Sequence, residues 1–488
     1  MMTQTDTIGW NLKNSYQSLP DLFYSSVEPT PTKQPEIIFL NEALADSLGL
    51  SREELQNEQG KAILAGNAIP DGAKPIAQSY AGHQFGSFTR LGDGRAILLG
   101  EQQTKDNELY DIQLKGAGKT WYSRAGDGLA SIGPMLREYL ISEAMYGLGI
   151  PTTRSLAVVK SEDTVMREQP LHRGILTRVA KSHLRVGTFQ YAMAWGENSD
   201  VEKIADYAIE RHYPHLMAES QPYEKFFEAV LEEQAQLIAA WQLVGFIHGV
   251  MNTDNMSICG ETIDYGPCAF MNSFDLNTVF SSIDVQGRYK FGNQPAIAHW
   301  NLTRFAETLL PLFDENQEKA IDKAKTMLEA FFPRFNELWL NGMREKLGLF
   351  ESYKTDYSLV VDLLDMMKTH QADYTDTFLD LTFHQETANS FTTTTDFKEW
   401  KKRWTERIHE EGKSWEDVQE KMKRNNPALI PRNHLVEEAL QAAVQDEDYQ
   451  PMQKLMKALV DPYAHSKTQA ALNQIPVPDT PYQTFCGT

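Results

Sequence analysis

The chain is poor in cysteine, short of basic residues and without a long apolar run. Its three cysteines among 488 residues (Cys259, Cys268 and Cys486) form neither a disulfide scaffold nor a recognisable zinc-binding spacing. Lys and Arg number 46 against 67 Asp and Glu, and the net charge of −21 argues against non-specific nucleic-acid binding. No segment approaches the roughly 20 apolar residues that span a bilayer, and the N-terminus lacks the features of a signal peptide. We therefore expect a cytoplasmic protein that binds neither nucleic acid nor membranes.

The predicted elements change from mainly strands to mainly helices along the chain. Residues 40–50 predict a short helix, residues 134–150 an amphipathic helix, and residues 224–250 a long helix that delivers His248. Apolar runs predict strands at 96–102, 108–116 and 174–180. Further helices are predicted at 301–313, 395–411, 437–444 and 449–460.

This order predicts an α+β protein with a two-lobed fold like that of a protein kinase, since strands and one helix precede a large helical body. A chain of 488 residues is also too long for one ordinary core. We predict an N-terminal extension at 1–80 and a β-rich N-lobe with nucleotide-binding loops at 81–190. The helical C-lobe, with the catalytic loop and a C-terminal extension, is predicted at 191–488.

The segment HGVMNTDNMSICGETIDYG, from His248 to Gly266, resembles a kinase catalytic loop that lacks its base. A kinase loop has the pattern H-R-D-x-x-x-x-N and is followed by D-F-G. His248 and Asn255 match the His and Asn of that pattern, and Asp264 matches the Asp of D-F-G. The position of the catalytic Asp is Val250. The segment therefore keeps the candidate metal ligands of a kinase and loses its proton acceptor.

Asn255 and Asp264 are the candidate metal ligands. In kinases the corresponding pair holds Mg²⁺ ions that bridge the ATP phosphates. A small set of oxygen ligands suits Mg²⁺ or Mn²⁺, which complete their coordination with water and phosphate oxygens. Taken singly, Asn255 is equally well read as a turn residue and Asp264 as a helix cap.

Lys115 and Glu138 are the candidate ion pair of the N-lobe. Lys115 ends the predicted strand 108–116, where kinases place a Lys that contacts phosphates, and a Glu of the next helix pairs with it. Glu143 lies on the same helix and is an alternative partner, although a five-residue offset puts it on a different face. Two unrelated surface charges are the other interpretation.

The string GAGKT, from Gly116 to Thr120, resembles part of a Walker A loop but does not complete one. That motif needs a leading Gly three residues before Gly116, where this chain has Gln113. The stretch can still present backbone N–H groups to phosphate.

Four long strings resemble the selenoprotein O family of kinase-fold protein adenylyltransferases, in its cysteine-containing bacterial form. The resemblance covers nearly the whole chain. The strings are SYAGHQFGSFTRLGDGRAILLGE, DIQLKGAGKTWYSRAGDGLA, LREYLISEAMYGLGIPTTRSL and HGVMNTDNMSICGETIDYGPCAFM.

The resemblance implies a flipped ATP, so that AMP instead of the γ-phosphoryl group passes to Ser, Thr or Tyr hydroxyls of proteins and pyrophosphate is released. It implies Mg²⁺ or Mn²⁺ at Asn255 and Asp264, and it assigns Asp254 as the proton acceptor, which explains Val250. It also implies that Lys115 contacts the ATP phosphates and pairs with Glu138, as the corresponding residues do in kinases. The implied nucleotide-binding residues are Gly92, Gly94, Arg95, Lys115, Asp127, Gly128, Arg178, Arg185 and Asp264.

Several alternatives stay open. By comparison with kinases alone, Val250 at the position of the catalytic Asp favours a non-catalytic ATP-binding scaffold. Another alternative is a phosphotransferase in which Asp254 acts as a displaced base. UTP could replace ATP as the nucleotide. Cys486 is either an inert thiol or a redox partner of Cys268. A monomer is favoured, although the sequence has no feature that fixes the oligomeric state.

Overall fold

A computed structural model describes residues 7–384, 390–474 and 482–485. The described chain is an α+β protein with one large antiparallel sheet and many helices, as predicted. Cys486, for which a redox role was considered, lies outside the described residues. None of the described helices is both long and apolar enough to span a bilayer.

The strands, in chain order, are β1 (Leu12–Lys13), β2 (Tyr24–Ser26), β3 (Glu36–Leu40), β4 (Ile76–Gln78), β5 (Ala81–Gln84), β6 (Ser87–Arg90), β7 (Ala96–Gln103), β8 (Leu109–Lys115), β9 (Arg154–Met166), β10 (Pro170–Ala180), β11 (Phe246–Ile247) and β12 (Ala269–Phe270). The helices are α1 (Glu42–Ser47), α2 (Arg52–Leu55), α3 (Glu58–Leu64), α4 (Ile132–Gly147), α5 (Val186–Trp195), α6 (Asn198–His212), α7 (Pro222–Val244), α8 (Gln294–Phe313), α9 (Gln317–Leu328), α10 (Phe331–Lys346), α11 (Asp356–Thr369), α12 (Tyr374–Phe383), α13 (Thr395–Glu410), α14 (Trp415–Asn425), α15 (Asn433–Gln445), α16 (Gln450–Leu459) and α17 (Lys467–Leu472).

The main sheet has the strand order β2-β4-β7-β8-β10-β9-β3, and β1 pairs with β7 off this path. All of its pairings are antiparallel. Strands β1 to β4 belong to the first 80 residues, so the predicted N-terminal extension contributes directly to this sheet. Two further two-stranded pairs, β5–β6 and β11–β12, lie outside it.

Both faces of the sheet are covered, because alternate side chains of its strands enter two different cores. On β7, Leu98 packs in the core that includes Leu136 and Leu140 of α4. Its neighbours Ile97 and Leu99 pack in the core formed with helices α1 to α3. The sheet is therefore held between α4 and the N-terminal helices, and this fixes the ends of β7, β8 and β10 where the candidate site lies.

The predicted elements on α1, β7, β8, α4, β10, α8, α13, α15 and α16 are confirmed. The prediction that the helix at 224–250 delivers His248 is wrong at its end, since α7 stops at Val244. Gly245 adopts a left-handed conformation with φ of 72°, which ends the helix, and Phe246–Ile247 then forms β11. His248 therefore follows a strand instead of a helix.

Lys346, at the end of α10, is a buried lysine without a carboxylate partner in the described chain. Its ammonium nitrogen lies 4.3 Å from the centre of the Phe378 ring. Burial lowers the pKa of Lys346 to about 7. The unfolded chain binds this proton more tightly, so stability should rise with pH from about 7 until the unfolded lysine titrates.

We predict that Lys346→Met raises the free energy of unfolding near neutral pH by about 2 kcal/mol, because the charged amine no longer has to be buried. Urea unfolding of both proteins at pH 7 and 9 tests this, with Lys402→Met on the exposed side of α13 as the control. The advantage of the variant should shrink at pH 9. A variant that is less stable than the wild type at both pH values would contradict the prediction.

Candidate active site

A cavity of about 620 Å³ opens at the ends of β7, β8 and β10, against α4 and the segment that follows β11. Each of the twelve site residues predicted from the sequence lines this cavity. They are Gly92, Gly94, Arg95, Lys115, Asp127, Gly128, Glu138, Arg178, Arg185, Asp254, Asn255 and Asp264. Residues more than 170 positions apart in sequence thus meet around one space of a size that accommodates a nucleotide.

Lys115 connects the sheet to both α4 and the segment that carries Asp264. Its ammonium nitrogen lies 2.5 Å from an oxygen of Glu138 and 2.8 Å from Oδ1 of Asp264. The alternative partner, Glu143, instead accepts two hydrogen bonds from the guanidinium of Arg154, at 2.7 and 2.9 Å. The structure therefore pairs Lys115 with Glu138, as predicted.

Two buried arginines complete a cationic shell around Asp264. Arg178 lies 2.7 Å from Oδ1 of Asp264, and Arg185 lies 2.9 Å from Oδ2. Burial by itself would raise the pKa of Asp264, but Lys115 and the two arginines outweigh it and hold that pKa well below its usual range. Asp264 is therefore ionised at neutral pH, and three cations converge on one carboxylate.

Asp254 lies in the same cavity in a different environment. Its carboxylate is buried, and Oδ1 has no hydrogen-bond partner within the described chain. Burial raises the pKa of Asp254 to about 6, against the opposing attraction of Arg185. A buried oxygen atom that accepts no hydrogen bond destabilises the folded state, and such atoms commonly mark the place where a ligand binds.

Of the residues that match the kinase loop, His248 is buried in the fold, whereas Val250 and Asn255 line the cavity. His248 is fully buried, and its Nε2 lies 2.9 Å from the carbonyl oxygen of Ile263, so it anchors the segment that leads to Asp264. Val250 lines the cavity and has no acid–base group. The side-chain amide of Asn255 donates to the carbonyl oxygen of Val250 at 2.9 Å, which fixes the orientation of the Asn255 side chain.

The donor set at Asn255 and Asp264 fits a hard divalent cation. Since the Asn255 nitrogen is engaged by Val250, its oxygen is the atom available to a metal, and Asp264 adds a carboxylate. Two protein oxygens leave coordination positions for water and phosphate, which is the usual arrangement for Mg²⁺. In the described part of the chain, no group of three or more His, Cys, Asp or Glu side chains could hold a metal by itself.

The glycines of the cavity are needed because backbone or aromatic atoms approach them closely. A Cβ on Gly92, which has φ of 142°, would lie 2.3 Å from the Tyr122 ring. A Cβ on Gly128, which has φ of 72°, would lie 2.2 Å from the carbonyl oxygen of Gly118. Asp127 pairs with Arg167 at 2.9 Å at the edge of the same cavity.

Comparison with known proteins shows the family of this chain. The family model for "Protein adenylyltransferase SelO" matches residues 7–460. The chain belongs to the SelO family of protein adenylyltransferases. It is 57% identical over 481 residues to protein nucleotidyltransferase YdiU of Geobacillus kaustophilus, covering 98% of this chain and 99% of that one. It is 55% identical over 487 residues to the protein of the same name from Bacillus cytotoxicus, covering 100% of this chain and 99% of the relative.

Two further residues of this SelO-family chain, which the sequence did not predict as site residues, contact the arginines of the cavity. Gln113 accepts two hydrogen bonds from the Arg178 guanidinium, at 2.6 and 3.1 Å, and donates to Asp93 at 3.1 Å. The Tyr80 ring lies under the Arg185 guanidinium at 4.4 Å. Gln113 could have been found, because it lies two residues before Lys115 and therefore on the same strand face.

The hairpin formed by β5 and β6 packs directly on the segment that carries Asp254. The backbone N–H of His83 donates to Thr253 Oγ1 at 2.7 Å, and that of Phe85 donates to Asn252 Oδ1 at 3.1 Å. Gly82 faces the carboxylate of Asp254 so closely that a Cβ there would lie 2.0 Å from Asp254 Oδ1. The hairpin therefore sets the position of Asp254.

We predict that Gly82→Ala displaces Asp254 and lowers the rate of nucleotidyl transfer by about 10²-fold, because small misplacements of a reacting group cost about this much. ATP affinity, measured by calorimetry, should change little. Gly342→Ala is the matched control, since its Cβ would lie 2.1 Å from the Leu243 side chain, a comparable clash in α10 away from the cavity, and it should keep the wild-type rate. An equally active Gly82→Ala enzyme would show that the hairpin does not position Asp254.

Proposed function

We propose that this protein transfers AMP from ATP to Ser, Thr or Tyr hydroxyls of other proteins and releases pyrophosphate. The observation that carries the proposal is the presence in one cavity of a cationic shell around Asp264 and of Asp254, whose Oδ1 has no partner in the described chain, with Val250 at the kinase base position. The family to which the chain belongs supports the same reaction.

We also propose that the fold is protein-kinase-like, with two lobes. The N-lobe comprises residues 81–190 together with the strands that the 1–80 extension adds to its sheet. The helical lobe at 191–488 carries the catalytic loop. The Lys115–Glu138 pair supports this comparison, because it joins a strand end to the following helix as in kinases.

The three cations of the cavity are suited to the phosphates of ATP. Lys115, Arg178 and Arg185 provide donors for several phosphate oxygens, and arginine binds such oxygens in a bidentate manner. Asn255 and Asp264 would hold Mg²⁺ or Mn²⁺, which neutralises phosphate charge when bound. ATP would therefore replace part of the contact that Asp264 now makes with the three cations.

Asp254 is the proposed proton acceptor. The acceptor hydroxyl attacks the α-phosphorus, a new P–O bond forms, and the bond between the α-phosphorus and the bridging oxygen of pyrophosphate breaks. The hydroxyl proton passes to a carboxylate oxygen of Asp254. The unpartnered Oδ1 atom supports this role, since it can accept a hydrogen bond from an incoming hydroxyl.

Mass spectrometry of a protein acceptor tests the proposal. After incubation with ATP and Mg²⁺ or Mn²⁺, the acceptor should gain AMP on Ser, Thr or Tyr. A gain of phosphate would instead indicate a phosphotransferase with Asp254 as its base. Binding of ATP with no gain of mass by any acceptor would favour the non-catalytic scaffold. Replacing ATP by UTP in the same assay decides between adenylyl and uridylyl transfer.

A further inference from the structure

A band of exposed and half-buried arginine and aromatic side chains lies beside the catalytic loop. We call it the rim band, and it consists of His83, Phe88, Arg90, Trp195, Arg288 and Trp300. Neighbouring rings in it lie with their centres 4.9 to 5.7 Å apart. A guanidinium closes each end, with Arg288 lying 4.8 Å from the Trp300 ring and Arg90 lying 5.5 Å from the Trp195 ring. The band is therefore one continuous surface.

The two arginines of the rim band form no ion pairs with carboxylates of the described residues, although the chain is acidic. Asp and Glu outnumber Lys and Arg by 67 to 46, yet within the described residues neither Arg90 nor Arg288 forms an ion pair with a carboxylate. The buried Nε of Arg288 also donates to no atom of the described chain. Arg124 adds a further cation, which is exposed, and its guanidinium donates to the Arg90 carbonyl oxygen at 2.6 Å. This concentration of unneutralised positive charge suits an anionic partner.

The rim band is continuous with the candidate active site. Strands β5 and β6 carry His83, Phe88 and Arg90, and the same hairpin donates backbone hydrogen bonds to Asn252 and Thr253, which immediately precede Asp254. The rim band therefore shares a hairpin with the contacts that hold the segment next to Asp254.

We propose that the rim band is the docking surface for the protein acceptor, and that it selects a polypeptide segment with acidic side chains near the reacting hydroxyl. The proposal rests on the proposed function. Guanidinium groups bind carboxylates in a bidentate manner, and the exposed rings of Phe88 and Trp195 (43% and 39% exposed) supply apolar contact area. The net charge of −21 disfavours a nucleic acid, whose every residue carries a charge, more than a peptide with a few carboxylates.

Two synthetic peptides test the proposal, identical except that acidic residues flank the central serine in one and lysines in the other. With α-labelled ATP, the wild-type protein should modify the acidic peptide with a KM about 10-fold lower than that of the basic peptide. The KM for the acidic peptide should rise with salt, because exposed charge pairs are screened. Combining Arg90→Glu with Arg288→Glu should raise that KM about 10-fold and leave ATP affinity unchanged.

Two further double variants distinguish a loss of peptide binding from a loss of folding. Combining Arg90→Gln with Arg288→Gln removes the charges without reversing them and should give an intermediate KM. Combining Lys398→Glu with Arg424→Glu makes the same change in net charge on exposed residues of α13 and α14, and it should leave the KM for the acidic peptide unchanged.

Direct binding of a fluorescent acidic peptide separates this proposal from the proposed function. Binding by the wild type and not by the double Glu variant, with no AMP transfer to any acceptor, would support the docking surface and contradict the transferase. Equal transfer to both peptides by the wild type and the double Glu variant would overturn the docking surface and leave the transferase intact. Failure of the wild type to bind the acidic peptide, or stronger binding of single-stranded RNA to the same band, would also overturn it.

Discussion

Asp264→Asn should lower AMP transfer by on the order of 10³-fold while the protein still binds ATP. The substitution keeps the shape of the side chain and removes the charge on which Lys115, Arg178 and Arg185 converge. It also removes the carboxylate of the candidate Mg²⁺ site, and electrostatic groups of this kind are each worth several kcal/mol in a transition state. Transfer would be measured with α-labelled ATP and ATP affinity by calorimetry.

The same variant has a second expected property that a simple loss of stability would not produce. Without Asp264 the three buried cations keep only Glu138 and Asp93 as carboxylate partners, which destabilises the fold, and the phosphates of ATP can neutralise the excess positive charge. ATP without a divalent cation should therefore raise the melting temperature of Asp264→Asn more than that of the wild type. Asp356→Asn is the matched control, since Asp356 is also buried between two arginines but lies away from the cavity. It should lose stability, keep transfer and show no added response to ATP.

Full transfer activity in Asp264→Asn would contradict the metal and phosphate roles assigned to this residue. So would a complete loss of ATP binding, because the three cations that remain are the groups expected to hold the phosphates.

Asp254→Asn should lower the rate of transfer at saturating ATP by about 10²-fold or more, the usual contribution of a general base. ATP affinity should stay near that of the wild type, because Asp254 is assigned to the hydroxyl and not to the phosphates. The free energy of unfolding should not fall. Burial disfavours the charged form of Asp254, and Oδ1 has no hydrogen-bond partner in the described chain that the substitution could remove.

Glu261→Gln is the control for this effect. Glu261 is a buried carboxylate only seven positions from Asp254, and burial raises its pKa to about 7, yet it does not line the cavity. The control variant should therefore transfer AMP at the wild-type rate. Unchanged transfer in Asp254→Asn would mean that Asp254 neither accepts the proton nor orients the hydroxyl.

The sequence predicted which residues meet at one cavity more fully than it predicted the strands around it, and the reason is physical. Lys115, Glu138, Asn255 and Asp264 could be selected because a catalytic arrangement demands particular residue types in a particular order. Helical geometry indicated that Glu138 and Glu143 could not both face Lys115, and the contacts of Glu138 with Lys115 and of Glu143 with Arg154 agree with this. Such chemistry leaves a signal in the sequence even when no structure is known.

The elements that were not anticipated depend on distant partners. Strands such as β1, with two residues, and β2 and β4, with three each, are too short for periodicity and form only through pairing with β7 and each other. The end of α7 at Val244 was misjudged because apolar residues continue through Phe246 and Ile247, and only the left-handed conformation of Gly245 stops the helix. Pairing with distant strands decided the first case, and the backbone conformation of a single glycine decided the second.

The hairpin of β5 and β6 illustrates a different gap. Its sequence, from Ala81 to Arg90, formed part of a string quoted for the family resemblance, but nothing in that string shows that Gly82 contacts Asp254. That contact joins residues 172 positions apart, and it becomes visible only in the folded structure, where the two segments lie side by side. The rim band was hidden for the same reason, since its rings come from the hairpin, α5 and α8.

The central claim is that AMP, and not the γ-phosphoryl group, passes to a protein hydroxyl. The most direct measurement uses two parallel reactions of the purified protein with a protein acceptor, one with ATP labelled on the α-phosphate and one with ATP labelled on the γ-phosphate. We expect label in the acceptor only from the α-phosphate, together with an equal amount of pyrophosphate. Label only from the γ-phosphate would contradict the claim and make the protein a kinase with a displaced base.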